Sequence, residues 1–590
     1  MLNKHRSAKY QLLGLVGRGQ FGQVYCAIHR KTGQLVALKN LNRDRFPTHS
    51  FLRELRFLLS LDHPHIASCL ALDQSSNSRQ LVLEYCEGGT LRDVIEQDTH
   101  LTLAEILTLI VEILSALEHA HASRLIHCDI KPENILLTLS PDGWHAKVSD
   151  FGIARVSQEM KRERRGATGS PAYMAPERFY FQFSTASDLY AVGIMLYELL
   201  LGDRPFSGNY QQLMVSHLNH PVAVPGDLPA GIQAILKKAT EKLTPRRFRS
   251  ATEMKAAIIQ VRQALTAGDL RERFPQGLAP QSTDACESPP SLALSTPCSA
   301  LALTHLQPQA PQLIAASQQD LYGWPLNYHQ TVEPNTTPAK WRFDTSITQL
   351  SPTPSGVIVV TGQRLSLLTA GGILPLAQFD CPIKVLPGSQ RWAFVQALEP
   401  PMRVWAIDTQ RQIGPTPRAL PAPVASQESG IQAMALDDRH YAIASRQDQQ
   451  THLYVLTRKG HWLGKLSLQV SIHQLFASQK SAYAIAVAGT QKRDFLVIRF
   501  SPYRIMRCRL DITPTWLGEL ATGYVAISQK GEMRLVNFAG QLIGQVNNLP
   551  IPTAVCFQPP HQVWLASATP EGTHRLHQVD LQALNLDILF

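Results

Sequence analysis

Hydrophobic and polar positions alternate in different ways along the chain. From Tyr10 to Lys39 they read as strand, glycine turn, strand, a second turn at Lys31-Thr32-Gly33, and strand. Phe51, Leu55, Leu58 and Leu59 then recur at the spacing of one helical face, which places Glu54 on a helix. Leu103 to His121 carries a long helical pattern, and Leu189 to Leu201 is a further apolar helix. Residues 10–265 are therefore predicted to form a small β-rich lobe followed by helices, with residues 1–9 as a short tail. Between 266 and 338 periodicity fades. Pro289, Pro290, Pro297, Pro308, Pro311 and Pro334 stand there among Ser, Thr, Gln and Ala, the composition of an extended linker.

From 339 to 590 helical periodicity is gone and short β-type runs dominate. Examples are Val357-Ile358-Val359-Val360, Tyr441-Ala442-Ile443-Ala444, Tyr483-Ala484-Ile485-Ala486 and Val525-Ala526-Ile527. The last three share a Tyr/Val-Ala-Ile core and recur at intervals of about 40 residues, a repeat length. A second series keeps the phase: Val404-Trp405-Ala406-Ile407, Leu453-Tyr454-Val455-Leu456 and Leu535-Val536-Asn537-Phe538, each running toward a glycine turn. Short strands and tight turns at this period resemble the blades of a β-propeller. About 42 residues per blade gives about six, with five or seven open. The Trp-Asp dipeptide of the best-known propeller repeats is missing, and an irregular β-sandwich is the alternative.

Composition narrows the class. A chain of 590 residues is too long for one core. Hydrophobic residues at 44% against 17% charged ones describe a folded chain and not a disordered one. The net charge of +10 raises nucleic acid or an anionic membrane as partners. Acids are interspersed with the bases, however, so a generic basic surface is expected and no nucleic acid. No run of about 18 apolar residues is present to span a bilayer. The opening Met1-Leu2-Asn3-Lys4-His5-Arg6 lacks a signal core, and nine scattered cysteines in no paired spacing fit reduced thiols. A cytoplasmic location is the expectation.

The first 180 residues hold the chemistry. Gly17-Arg18-Gly19-Gln20-Phe21-Gly22 can bend a backbone closely over phosphates. Val36-Ala37-Leu38-Lys39 carries a cation, Glu54 a carboxylate to hold it, and His127-Cys128-Asp129 with Asn134 a further acid and amide. Asp150-Phe151-Gly152 and Ala175-Pro176-Glu177 follow. In this order and spacing the motifs resemble the protein kinases, in particular the eukaryotic-type (Hanks-type) bacterial serine/threonine kinases. The resemblance covers residues 10–265 and implies a bilobal α+β fold, followed here by the all-β region. It implies ATP and magnesium (Mg2+) as cofactors and protein Ser/Thr hydroxyls as acceptors. Val16, Val24, Ala37 and Leu136 would line the adenine slot under Gly17, Arg18, Gly19, Gln20, Phe21 and Gly22. Leu83 would be the gatekeeper of a hinge with Glu84 and Cys86. Lys39 paired with Glu54 would hold phosphates, Asn134 and Asp150 the metal, and Asp129 with Lys131 would serve the hydroxyl. Glu177 is expected to pair with Arg247. Asp188 would cap the catalytic-loop backbone, and Ser170 would contact the catalytic Asp and Lys.

One departure is informative. Cys128 replaces the Arg that in many kinases pairs with a phosphorylated activation loop, and a thiol cannot make that bidentate contact. Thr168 stays the phosphosite candidate among Arg155, Lys161, Arg162, Arg164 and Arg165. Cys128 itself is expected to be buried and inert, a redox role being the sharper alternative. Partner binding or sensing is assigned to the C-terminal repeats, their ligand unknown. Trans-autophosphorylation in a dimer is a family expectation only. The competing reading is a scaffold that binds nucleotide and transfers nothing.

Overall fold

The alternation of Tyr10–Lys39 becomes three antiparallel strands, β1 (Tyr10–Gly19), β2 (Gly22–His29) and β3 (Leu35–Leu41), in the computed structural model. With β4 (Cys69–Gln74) and β5 (Arg79–Glu84) they form one sheet ordered β1-β2-β3-β5-β4. Gly22 at φ +146° and Gly33 at φ +70° make the two connecting turns, in conformations that L side chains rarely adopt. Tyr10, Ala27, Val36, Leu38 and Val82 pack together on one face. The structure describes residues 9–581 except 20–21, 42–60, 75–78, 97–100, 152–169, 272, 275–280, 285–290, 295, 308–309, 328–331, 333–335, 354, 387–391, 400–402, 410–417, 421–431, 438, 448, 458, 460, 479–482, 501, 522, 539, 559 and 569–571. The segment holding the predicted helix with Glu54 lies outside the described residues.

A short helix α1 (Leu91–Glu96) and strand β6 (Leu101–Thr102) lead into α2 (Leu103–Ala122). Thr102 and Glu105 cap that helix reciprocally: Glu105 N donates to Thr102 Oγ1 at 3.2 Å and Thr102 N to Glu105 Oε2 at 2.9 Å. Its apolar stripe, including Ile106, Ile110, Ile113 and Leu117, is buried. The hairpin β7 (Ile135–Ser140) and β8 (Gly143–Val148) lies against α2. Buried Glu112 ties them, accepting from Ala146 N at 2.7 Å and from the His145 ring. Helices α3 (Thr185–Leu201), α4 (Tyr210–Asn219), α5 (Ala230–Ala239) and α6 (Ala251–Ala264) complete the lobe. After α7 (Ala267–Arg271), β9 (Arg273–Phe274) returns to pair with β6, so this unit extends past the predicted boundary at 265.

The His145–Glu112 tie predicts a pH dependence. The hydrogen bond to Glu112, helped by Asp142 at 2.9 Å, pushes His145 up to about 9 from 6.5 despite burial. Its stabilisation is therefore complete below about 6.5 and lost as pH rises through about 9. On a partly solvated pair this is on the order of 1 kcal/mol. Denaturant midpoints at pH 6 and pH 9.5 check it: the wild type should lose more between the two than His145→Gln.

By contact the chain divides into Met1–Ala279 with Ser501–Ile505, and Pro280–Phe500 with Met506–Phe590. The second unit is all β. Its described strands make seven sheets: 300–342, 349–378, 383–420, 432–468, 472–509, 514–547 and 552–580. Each has antiparallel neighbours in chain order; Gln281–Asp284 adds in parallel to Leu542–Asn547, and Ser291–Leu294 antiparallel to His574–Asp580. Apolar cores join the first sheet to the second, the second to the third and the third to the fourth. Others join the fifth to the sixth, the sixth to the seventh, and the seventh back to the first. Ile472 N donates to Thr451 Oγ1 at 2.9 Å between the fourth and fifth. The repeated Tyr/Val-Ala-Ile cores are the second strands of their sheets, buried on both faces.

One expectation is corrected here. The span 266–338 is not a linker, because strands Ala300–Gln307, Ala310–Ser317 and Asp320–Pro325 build the first sheet from it. Leu313, Ile314, Ala315 and Ala316 are all buried, so no polar face marks the strand, and Pro311 and Pro325 sit at strand ends where prolines are tolerated. With that sheet included the described strands make seven sheets, against about six from the period, which had left seven open.

Candidate active site

The segment from His127 to Asn134 is held in an unusual backbone path. Cys128 at φ +68° and Asp150 at φ +65° are non-glycine residues in the left-handed region. Such positions cost about 1–3 kcal/mol and persist where surrounding bonds over-determine them. At Cys128 buried Asp188, in the first turn of α3, supplies them. Its Oδ2 accepts from His127 N at 2.9 Å and meets His121 Nε2 at 2.9 Å, while Oδ1 accepts from Cys128 N at 2.8 Å. Burial alone would raise the Asp188 carboxyl, but His121 and the backbone donors outweigh it and hold it below the usual range. Arg178 donates to the Cys128 carbonyl from the other side. His127 is fully buried, Nε2 against Ser149 O at 2.8 Å and the ring edge-on to Phe151 at 4.7 Å. Cys128 Sγ is buried against Ile126 O at 3.5 Å.

This frame presents a cluster of polar side chains. Asp129 Oδ2 lies 2.8 Å from Lys131 Nζ, and Oδ1 accepts from Ser170 N at 3.2 Å. Ser170 thus reaches Asp129 through its backbone. Asn134 Nδ2 donates to Asp129 O at 2.7 Å and to Oδ2 at 3.2 Å, which orients its amide. Buried Lys39, on β3, meets Asp150 Oδ1 at 2.7 Å. Burial works to raise Asp150, and the Lys39 ammonium beside it prevails and lowers it. The donors Asn134 and Asp150 offer amide and carboxylate oxygens, the hard ligands that suit Mg2+.

The remaining predicted residues fall around this cluster. Gly17 and Gly19 end β1, where Gly19 pairs with Gly22 at the start of β2. Arg18 lies between them in the strand. Val24 faces Lys39 across the β2–β3 ladder, and Ala37 pairs with Leu83 on β5. Val16 is exposed on β1, and Leu136 lies on β7 bridged to Thr90. Glu84 ends β5 with its carboxylate on Lys147 Nζ at 3.0 Å. Burial pushes the Cys86 thiol far up, so it stays protonated. Gln20, Phe21, Glu54, Gly152 and Thr168 lie outside the described residues.

Glu177 and Arg247 form a bidentate pair, Nη1–Oε1 at 2.8 Å and Nη2–Oε2 at 2.7 Å, with Ser187 Oγ also on Oε1 at 2.7 Å. One network was not read from the sequence. Arg92 on α1 reaches Glu133 Oε1 at 3.0 Å and Glu198 Oε1 at 2.9 Å, and Tyr173 OH also bonds Glu198. Its one local signal was Glu198, an acid inside the apolar run of α3, since buried charges require partners.

Residues 10–257 match the model of the protein kinase domain. The chain is similar to serine/threonine-protein kinase PrkC of Bacillus subtilis, 34% identical over 284 residues, 46% of this chain and 43% of that protein. It is 40% identical over 199 residues to human serine/threonine-protein kinase D2, 33% of this chain and 22% of the other. It is 32% identical over 262 residues to the probable serine/threonine-protein kinase PknB of Lactococcus lactis, 42% and 41% of the two chains. The chain thus spans less than half of each of these relatives. Among the described residues of the whole chain, no helix is long and apolar enough to cross a membrane.

Proposed function

We propose that this chain is an ATP-dependent serine/threonine protein kinase. The observation that carries the reading is the pairing of Lys39 with Asp150 beside the bonded group Asp129, Lys131 and Asn134, with the Lys131 charge acting on Asp150. Asp129 orients the acceptor hydroxyl and takes its proton on a carboxylate oxygen as the hydroxyl oxygen bonds the γ-phosphorus and the bond to ADP breaks, ADP leaving. Lys131 stabilises the negative charge that develops on the transferred phosphoryl group. Lys39 holds donor phosphates with a point charge kept in place by Asp150. Asn134 and Asp150 would hold Mg2+, which would supply neutralisation of phosphate charge when bound. The loop from Ser170 to Glu177 seats the acceptor peptide. The roles of Gly17, Gly22, Val24, Ala37, Leu83 and Leu136 around the nucleotide are part of this same reading, as is a Glu54 partner for Lys39.

We further propose that the C-terminal unit is a seven-bladed β-propeller that binds a partner or senses a signal. Support comes from the chain-order packing of its sheets and from the core joining the seventh to the first. Ser291–Leu294, added to the last sheet, would fasten the ring from the N-terminal side. Labelled ATP with Mg2+ and the purified full chain, beside Asp129→Asn, tests the activity. Label on Ser or Thr that disappears in the variant supports it. Nucleotide binding without transfer would favour the scaffold reading, and mapped sites would show whether Thr168 is modified.

A further inference from the structure

Behind the peptide-seating loop lies a buried polar chain that the catalytic cluster does not use. Helix α4 starts where Asn209 caps it, Gln212 N donating to Asn209 Oδ1 at 3.1 Å. Two turns on, it buries His217 completely. The imidazole is boxed by Phe206, edge-on at 5.0 Å, by Tyr190 at 5.7 Å and by Phe179 at 6.2 Å. An apolar side chain would fill such a box without cost, so a histidine there needs a reason.

The hydrogen-bond order supplies one. Lys242 Nζ lies 3.4 Å from Tyr190 OH, and an ammonium can only donate. Tyr190 oxygen therefore accepts from Lys242, and because the other ring nitrogen faces backbone that can accept from it, we assign the Tyr190 proton to His217 Nδ1 at 2.8 Å. With Nδ1 accepting, the imidazole proton sits on Nε2. That nitrogen is buried, faces the backbone of Ala172 and lacks a full hydrogen bond among the described residues. Ala172 is the buried centre of the short turn Pro171–Tyr173, one residue beyond the Ser170 that contacts Asp129. Burial, with Lys242 nearby, pushes His217 down to about 4, so the ring stays neutral and keeps its directional donor. The groups facing this chain are Lys242, Arg247 over the Tyr190 ring at 4.9 Å, and Glu177 and Glu241.

We propose that the chain Lys242–Tyr190–His217 positions the peptide-seating loop, with His217 Nε2–H supporting the Ala172 backbone. His217 is thus a positioning residue for the acceptor peptide and not a catalytic one. A buried donor left short of an acceptor is costly, which drives it onto the nearest carbonyl and fixes the turn. This inference rests on the protein-kinase reading for its kinetic arm alone.

The test uses the full chain with His217→Phe, which keeps an aromatic filler and removes both nitrogens, and His217→Gln, whose amide nitrogen can stand in for Nε2. Amide hydrogen exchange over residues 171–178 should speed up about three- to ten-fold in His217→Phe and return toward wild type in His217→Gln. Exchange in α6 should stay unchanged in both, which separates loop release from general unfolding. In the kinetic arm, KM for an acceptor peptide should rise about three- to ten-fold in His217→Phe, with KM for ATP unaltered and kcat held at saturating peptide. Unchanged exchange over 171–178 in His217→Phe would overturn the proposal, as would equal loss in His217→Gln. If the wild type phosphorylates nothing, the kinase reading fails, while the exchange arm still decides the positioning role.

Discussion

Replacing Asp129 by Asn is expected to lower kcat for peptide phosphorylation by about 10²- to 10⁴-fold, the range a positioned general base contributes. The substitution keeps the shape of the side chain; Asn134 and Ser170 donate to different carboxylate oxygens, so the one remaining oxygen keeps one of those bonds, while Asn134 retains its bond to the backbone carbonyl of residue 129. What it removes is the site for the hydroxyl proton and the negative partner of Lys131, 2.8 Å away. KM for ATP should change little, because Lys39 and Asp150 form their contact on the other side of the cluster. Steady-state kinetics with varied ATP and varied peptide check both statements. A loss confined to KM for ATP, with kcat retained, would mean that Asp129 serves nucleotide binding and not transfer.

Arg247→Met is expected to destabilise the kinase domain by about 3–5 kcal/mol, the cost of leaving a buried charge without its partner. The Arg247 side chain has no solvent exposure and meets Glu177 in a bidentate pair, with Glu241 O and Lys242 O also accepting from it. Burial alone would raise the Glu177 carboxyl, and Arg247 with Ser187 reverses that and holds it below its usual value. The pair's contribution is thus present above the ordinary carboxylate pKa and is lost as pH falls through the lowered one. Hydrogen exchange of α3 amides reports this unit without interference from the second. Glu177→Gln should destabilise it as well, since it leaves the fully buried Arg247 guanidinium without a counter-charge. Protection within about 1 kcal/mol of wild type in Arg247→Met would show that the pair is not a structural tie.

The polar cluster of the candidate site was legible because its members lie in short motifs whose residue types follow from their chemistry. Asp129, Lys131 and Asn134 span one turn of loop, and their mutual bonds need no distant information. Pairs closing long separations were legible only where a motif supplied both ends, as for Glu177 with Arg247. Arg92 with Glu198 and Tyr190 with His217 had no such motif, and their meeting depends on how the helices pack. The first sheet of the second unit was misread for a different reason. Its strand Ala310–Ser317 is buried on both faces at Leu313 to Ala316 and carries Pro311 near its start, so that stretch displayed neither alternation nor an apolar run long enough to stand out.

Local residue order by itself determined the β-rich lobe, the apolar helices, the identity of the acids and cations of the site, and the repeat of the C-terminal strands. Those properties depend on neighbours a few residues apart, where backbone preference and hydrophobic period act directly. Tertiary structure alone decided that Arg92 reaches Glu198, that the last β sheet packs on the first, and that His217 stands behind Ala172. Each of these requires groups far apart in the chain to be desolvated together, and the free energy that selects their partners exists only once the core has closed around them.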